Sequence, residues 1–486
     1  MLHQNALIQL SRAALILVLF ILAGCATRPI NPPIAQADEQ KGYRFENRKP
    51  RGTGQDNLVI LAFSGGGMRA AAFSYGVLEF LAKTRIKGQQ DNTVRLIDEV
   101  DVITGVSGGS FTALAYGLYG DKLFQEYEQR FLKRNVQGEL IGRFLSPSNW
   151  GDLWSAGWGR SEMAASLYDE ILFKGATFKD LDQSNGPMIL TSATDISTGS
   201  RFLFTQRYFD QICSDVNAVT LSRAAAASSA VPVVLSPLTF NNYGGTCNSR
   251  VPAWMVPFTD TSRPSRPAAR AIRSLQNEMA FGDSKNRPFL HLVDGGVSDN
   301  IGMRAVLESL DMIQALAGTG VATPIDSAKR IIVFIVNSLS TPKTDWDKSE
   351  RPPGTIDVLL KAAGTPIDHF SFEAVEQLKD TSAMWENLKL IRDSAAMKTN
   401  KDPKVAAALR GSNAEIFVID VSFPALKDQA ERDYLNEQPT SFVLPDEAID
   451  RLRSAAGQII SDSPDFQKLL QSIRADIVTA ESDKSN

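Results

Sequence analysis

Short apolar runs punctuate the chain, with helix-period segments between them. "NLVILAF" (57–63) reads as a buried strand, and the helix-like "AAAFSYGVLEFLAK" after it sets Phe73, Val77, Leu78 and Leu81 on one face. A strand through Val102 and Ile103 then leads into a glycine-flanked turn and a second helix. Further strand candidates are "PMILTSATD", "RFLFTQ", "PFLHLVDGG", "KRIIVFIVNS" and "AEIFVIDVSF". Among them lie the helix candidates "LSRAAAASSA", "IGMRAVLESLDMIQALA" and "AIDRLRSAAGQIIS". Apolar runs that do not alternate, interleaved with helices, predict an α/β fold around a largely parallel sheet. No internal repeat is visible.

Two segments interrupt this pattern, near 145–162 and 241–288. The first spaces Trp150, Trp154 and Trp158 four apart, which suits either a lipid interface or the packing of a cap. The second is proline-rich and carries Arg263, Arg266, Arg270 and Arg273. It reads as a lid, a surface for anionic headgroups, or a plain solvated excursion.

The N-terminus has its own pattern. Arg12 precedes an apolar run, Ala13 to Ala23, that stops at Gly24 and Cys25. Eleven residues are too few to cross a bilayer, which takes ~20, but they suit the core of a signal peptide. "LAGC" resembles the lipobox of bacterial lipoproteins. That resemblance implies removal of residues 1–24, lipid on Cys25 and, with Ala26 next, delivery to the outer membrane facing the periplasm. Residues 25–57, with four prolines and no periodicity, read as a flexible tether.

Composition narrows the function classes. The 486 residues are 43% hydrophobic and carry a net charge of −4 without a long basic block, so nucleic acid has no electrostatic footing as a partner. Three cysteines and three histidines are too few for a zinc or multi-cysteine centre, and no acidic calcium loop is present. No metal or cofactor is expected. In an exported chain Cys213 and Cys247 either pair or remain thiols.

The chemistry centres on two glycine-rich turns. "GVSGG" places Ser107 between a strand and a helix, with small Gly105, Gly108 and Gly109 around it, the setting of a nucleophile elbow. Upstream, "SGGGMRA" lacks the lysine of a phosphate-binding P-loop and the last glycine of a dinucleotide fingerprint. Its amides, from Gly65, Gly66 and Gly67, instead suit an oxyanion hole shared with Gly108. Arg69 beside them serves either a local ion pair or a lipid phosphate. A base is also needed. His3 belongs to the leader, His291 alternates away from Asp294, and His369 sits in a polar helical stretch. Asp294, closing a strand before "GGVSDN", favours a serine–aspartate pair. The alternatives are a triad of Ser107, Asp294 and His369, or a silent lipid- or partner-binding lipoprotein.

The set S-G-G-G-x-R-A, G-V-S-G-G and D-G-G, in that order, resembles the patatin-like phospholipase family. "TSATDISTGSRFLF" and "AAAASSAVPVVLSPL" are similar to further blocks of that family. The resemblance implies a three-layer sandwich with helices on both sides of the sheet, and a lipid acyl hydrolase acting on membrane lipids. It also implies Ser107 as nucleophile, Asp294 as base, and an oxyanion hole at the glycine loop. Ser64 and Ala70 stand where many patatins have Asp and Gly, which leaves substrate class open. A catalytic domain is expected over 58–340. Beyond it lies a mostly helical extension, 341–486, with one strand at 414–423.

Overall fold

The computed structural model describes residues 28–48, 51, 56–87, 93–150, 158–259, 268–316, 321, 323, 328–402, 405, 409, 412–473 and 476–478. Each apolar run named above becomes a strand: β1 (Asn57–Phe63), β2 (Val100–Val106), β3 (Met188–Asp195), β4 (Ser200–Leu203), β6 (Phe289–Asp294), β7 (Arg330–Asn337) and β8 (Glu415–Ser422). A four-residue strand, β5 (Leu238–Asn241), is too short to stand out by pattern.

The sheet order is β8-β7-β1-β2-β3-β6-β5, with β4 paired to β3. The run from β8 to β3 is parallel, whereas β6 runs antiparallel to β3 and β5 antiparallel to β6. Runs such as "RIIVFIVN" are buried on both faces because helices cover both sides. On one side lie α1 (Gly67–Lys83), α8 (Asp446–Asp462) and α9 (Pro464–Ser472), where Phe466 meets Phe80 and Phe334. The other side carries α6 (Arg304–Leu316), and an apolar cavity of about 210 Å³ between it and the sheet reaches neither Ser107 nor Asp294. The fold is an α/β three-layer sandwich with a mostly parallel central sheet.

Three regions differ from expectation. Residues 28–48 do not hang free as a tether but strap onto the body. The amides of Ile34 and Ala37 donate to the carbonyls of Cys213 and Cys247, each at 2.9 Å, and Tyr43 is buried with its hydroxyl between the backbone groups of Ile189. Averaged composition hid these anchors, because a few buried side chains fix a polar segment. Cys213 and Cys247 themselves form a disulfide. The segment beyond 340 supplies β8, the sheet's edge strand, and α8, which crosses α1 so closely that a Cβ on Gly76 would lie 2.4 Å from the Arg453 carbonyl oxygen. The proline-rich excursion forms α5 (Ala269–Met279), packed with Met255 and Phe258 against Met312 and Leu316. Of its arginines, Arg270 pairs with Asp311, Arg273 is exposed, and Arg263 and Arg266 lie outside the described residues. Cys25 and Trp154 also lie outside them, while Trp150 is exposed and Trp158 half-buried.

Candidate active site

The site forms where β1 and β2 end. β2 stops at Val106, and α2 (Gly108–Tyr119) starts two residues later, so the chain reverses within Ser107. Ser107 has φ 48° and ψ −121°, a conformation that costs an L-residue roughly 1–3 kcal/mol. It pushes the side chain out of the turn. The Ser107 amide is satisfied by the Ser228 hydroxyl at 2.9 Å, at the end of α4 (Leu221–Ser228), which an Arg223–Glu162 ion pair ties to α3 (Arg160–Tyr168).

Asp294 arrives from the opposite direction. β6 begins beyond the end of β3 and runs back along it until Asp294 lies beside Ala193, one step from the Ser192–Val106 pair. Expecting both groups at one sheet edge was therefore sound, although the strand direction that delivers the carboxylate is reversed. The Ser107 hydroxyl donates to Asp294 Oδ2 at 2.8 Å, and the Gly296 amide donates to Oδ1 at 2.7 Å. Both residues are buried. Burial raises the Asp294 carboxyl to about 6, and the Gly296 and Ser107 hydrogen bonds offset part of that rise.

The glycine loop abuts the elbow. A Cβ on Gly108 would fall 1.9 Å from the Gly67 carbonyl oxygen, so the two turns touch only because position 108 has no side chain. Gly66 (φ 139°) and Gly67 (φ 59°) take positive-φ conformations that suit glycine. Among the described residues no protein acceptor takes the amides of Gly66, Gly67 or Gly108. Gly65 is different: its amide donates to the Asn300 carbonyl at 2.8 Å, which removes it from the set of oxyanion donors. Gly105 and Gly109 pack tightly, against Ser110 and Ala113 and against Phe63 and Ser64 respectively.

Arg69 is turned into the protein. It is 3% exposed, and its guanidinium donates to the carbonyls of Ser338 and Gln438, both at 2.7 Å, and to the Thr440 hydroxyl at 3.1 Å. Burial lowers its pKa to about 10. Nor is a triad assembled: Ser107 bonds directly to the carboxylate, and His369 is exposed on α7 (Thr355–Asp393). His291 meets Thr239 instead. No cluster of metal-ligating side chains occurs among the described residues.

A family model described as patatin-like phospholipase matches residues 61–307, just over half of the 486. This chain belongs to the patatin-like phospholipase family. No curated protein matches the chain by sequence. Among solved structures, human GIVD cytosolic phospholipase A2 is similar at 13% identity and TM-score 0.44, over 86% of this chain and 62% of that one. Its complex with methyl gamma-linolenyl fluorophosphonate gives 12%, 0.42, 86% and 59%. VipD from Legionella pneumophila gives 13% identity and TM-score 0.30, over 94% of this chain and 73% of that one. The chain thus spans about three fifths of the human enzyme's length.

The patatin-like site also uses residues that the motifs do not announce. Ser338 donates its amide to the Ser64 hydroxyl at 2.9 Å and its hydroxyl to the Gly65 carbonyl at 3.1 Å. The Ser441 carbonyl takes the Met68 amide at 2.7 Å. Ser64, in place of the usual Asp, is thus a clamp on the glycine turn. Ser228 was within reach of sequence reasoning, lying in "AAAASSA", but Ser338 and Ser441 carry no local signal.

Proposed function

We propose that the protein is a serine-dependent lipid acyl hydrolase that works through a Ser107–Asp294 dyad and an acyl-enzyme. The observation that carries this reading is the 2.8 Å hydrogen bond from the Ser107 hydroxyl to Asp294 Oδ2, with both residues buried. Ser107 Oγ attacks the ester carbonyl carbon while its proton passes to Asp294. The carbonyl oxygen becomes an oxyanion facing the amides of Gly66, Gly67 and Gly108 at two helix N-termini. Collapse expels the alcohol oxygen, which takes the proton from Asp294. Water then gives a proton to the same carboxylate, attacks the acyl carbon and releases the fatty acid with Ser107 restored. A carboxyl held near 6 is ionised at neutral pH yet more basic than an ordinary Asp near ~3.9, which favours this proton relay.

Ser107→Ala and Asp294→Asn are each expected to reduce ester turnover by at least ~10³-fold with the circular dichroism spectrum unchanged. A fluorophosphonate probe should label Ser107 in the parent protein. Failure to label it would favour a silent lipid-binding protein, and near-parental rates in either variant would remove the dyad. Membrane attachment through Cys25, in the bacterial envelope, belongs to the same reading. Its test is incorporation of labelled fatty acid, lost in Cys25→Ser.

A further inference from the structure

α7 changes character halfway along. From Ser371 onward a buried stripe of Ser371, Val375, Leu378 and Trp385 follows helical spacing, and this half packs on β8. From Thr355 to Phe370 no described side chain is buried. Lys389 pairs with Glu415 at the start of β8, and Lys379 with Asp420 near its end, so α7 climbs opposite to its own chain direction toward the catalytic edge. Ser371 reaches the level of the site, where its hydroxyl accepts from the Asn300 side-chain Nδ2 at 3.3 Å. The sixteen residues before it make about 24 Å of helix at 1.5 Å per residue, with Pro366 inside it and its last turn, Ile367 and Phe370, against Gly296–Ile301 and Arg304.

This arm is poorly suited to water. Val358 and Leu359 are 46% and 53% exposed, Phe370 is 60% exposed with one face toward the Arg304 guanidinium, and the charged residues of its sequence are Asp357, Lys361 and Asp368. Val358 and Leu359 are adjacent, and contiguous exposed apolar side chains suit an interaction site. Two other features share the edge. Val233 and Val234 project 58% and 53% exposed, three and four residues after Ala230, whose carbonyl takes the Asp294 amide. Val233 also holds φ 76°, unusual for a β-branched residue. The strap enters at Arg28, fixed to Thr239 and Asn241 of β5, which extends past the end of β3 on the catalytic side. Three positions earlier is Cys25, preceded by the apolar run 13–23.

We propose that the 355–370 arm is a membrane-docking element that inserts into a phospholipid bilayer and brings the catalytic edge down onto the headgroups. The proposal rests on Ser107 and Asp294 marking that edge as the reacting one. With two acidic residues and one basic residue on the arm, docking is apolar rather than electrostatic, so zwitterionic lipid suffices. The test uses the full chain with Cys25→Ser, reconstituted in phosphatidylcholine vesicles. Cys213 and Cys247 are joined, so Leu359→Cys provides a single labelling site for an environment-sensitive dye. The dye is expected to shift to the blue and to be quenched by nitroxide-bearing acyl chains. In a second variant, Val358→Asp with Leu359→Asp, turnover of vesicle phospholipid should fall at least tenfold while a soluble short-chain ester is hydrolysed within twofold of the parent rate. A dye that stays unquenched on vesicles overturns the proposal, as does one that shifts with protein concentration alone, which assigns the arm to a second copy of the chain. A protein that hydrolyses no ester but still shows quenching would fail the dyad reading and leave the docking reading standing.

Discussion

Asp294 shows how a single residue trades stability for chemistry. Its folded-state carboxyl lies near 6 against about 3.9 in an unfolded chain, so the native state binds the proton more tightly. The group therefore favours the fold below pH ~4 and loses that contribution as pH climbs through about 6. Asp294→Asn removes the ionisation and should raise stability at pH 8 by up to about 3 kcal/mol, with no gain at pH 4, as read from urea midpoints at both values. In the parent protein, kcat/KM on a soluble ester should fall below an apparent pKa near 6, because a protonated Asp294 cannot accept the serine proton. Ser228 is a positioning residue: its hydroxyl takes the Ser107 amide. Ser228→Ala should lower kcat roughly tenfold with KM nearly unchanged, whereas Ser228→Thr should restore most of it if the acceptor is what matters.

At the scale of elements, two strands and two helix starts were legible because glycine spacing and an apolar run sit side by side in the sequence. Ser107 and Asp294 each follow such a run directly, and both land within a hydrogen bond of one another. What the pattern did not carry was pairing. The reversed direction of β6 depends on which neighbour it meets, and no local signal states that. The spent amide of Gly65 was hidden for the same reason, since its acceptor lies at Asn300. Arg69 is the clearest case: its sequence setting left a local ion pair or a lipid phosphate open, and its partners, Ser338, Gln438 and Thr440, come from far along the chain. Arg69→Met leaves those buried acceptors without a donor, and should cost about 2–4 kcal/mol in chemical denaturation while loosening the glycine turn.

For the molecule as a whole, the sequence resemblance fades after 340, yet the sheet and the site do not end there. β8 closes the sheet, α8 covers α1, and the Ser441 carbonyl holds the Met68 amide. A similar long-range logic governs the N-terminal strap, which is bonded to the carbonyls of both cysteines. The disulfide closes a loop of 34 positions and should contribute about 4 kcal/mol by restricting the unfolded chain. Mild reduction is expected to lower the melting temperature and to make residues 28–48 susceptible to protease. Unchanged cleavage after reduction would show that the strap holds by itself.

The antiparallel entry of β6 has one more consequence. β5 and β6 pair through Leu238–Leu292 and Asn241–Phe289, so the ends of the excursion between them are stapled together whatever its length. Side chains alternate along a strand, and a slip of one residue would turn the carboxylate to the wrong face. Ladder register, not loop geometry, thus sets the position of the base. The excursion from 242 to 288 is held by its own ties, the Cys247 disulfide and the packing of α5, so a change in its length between those ties leaves the proton acceptor in place.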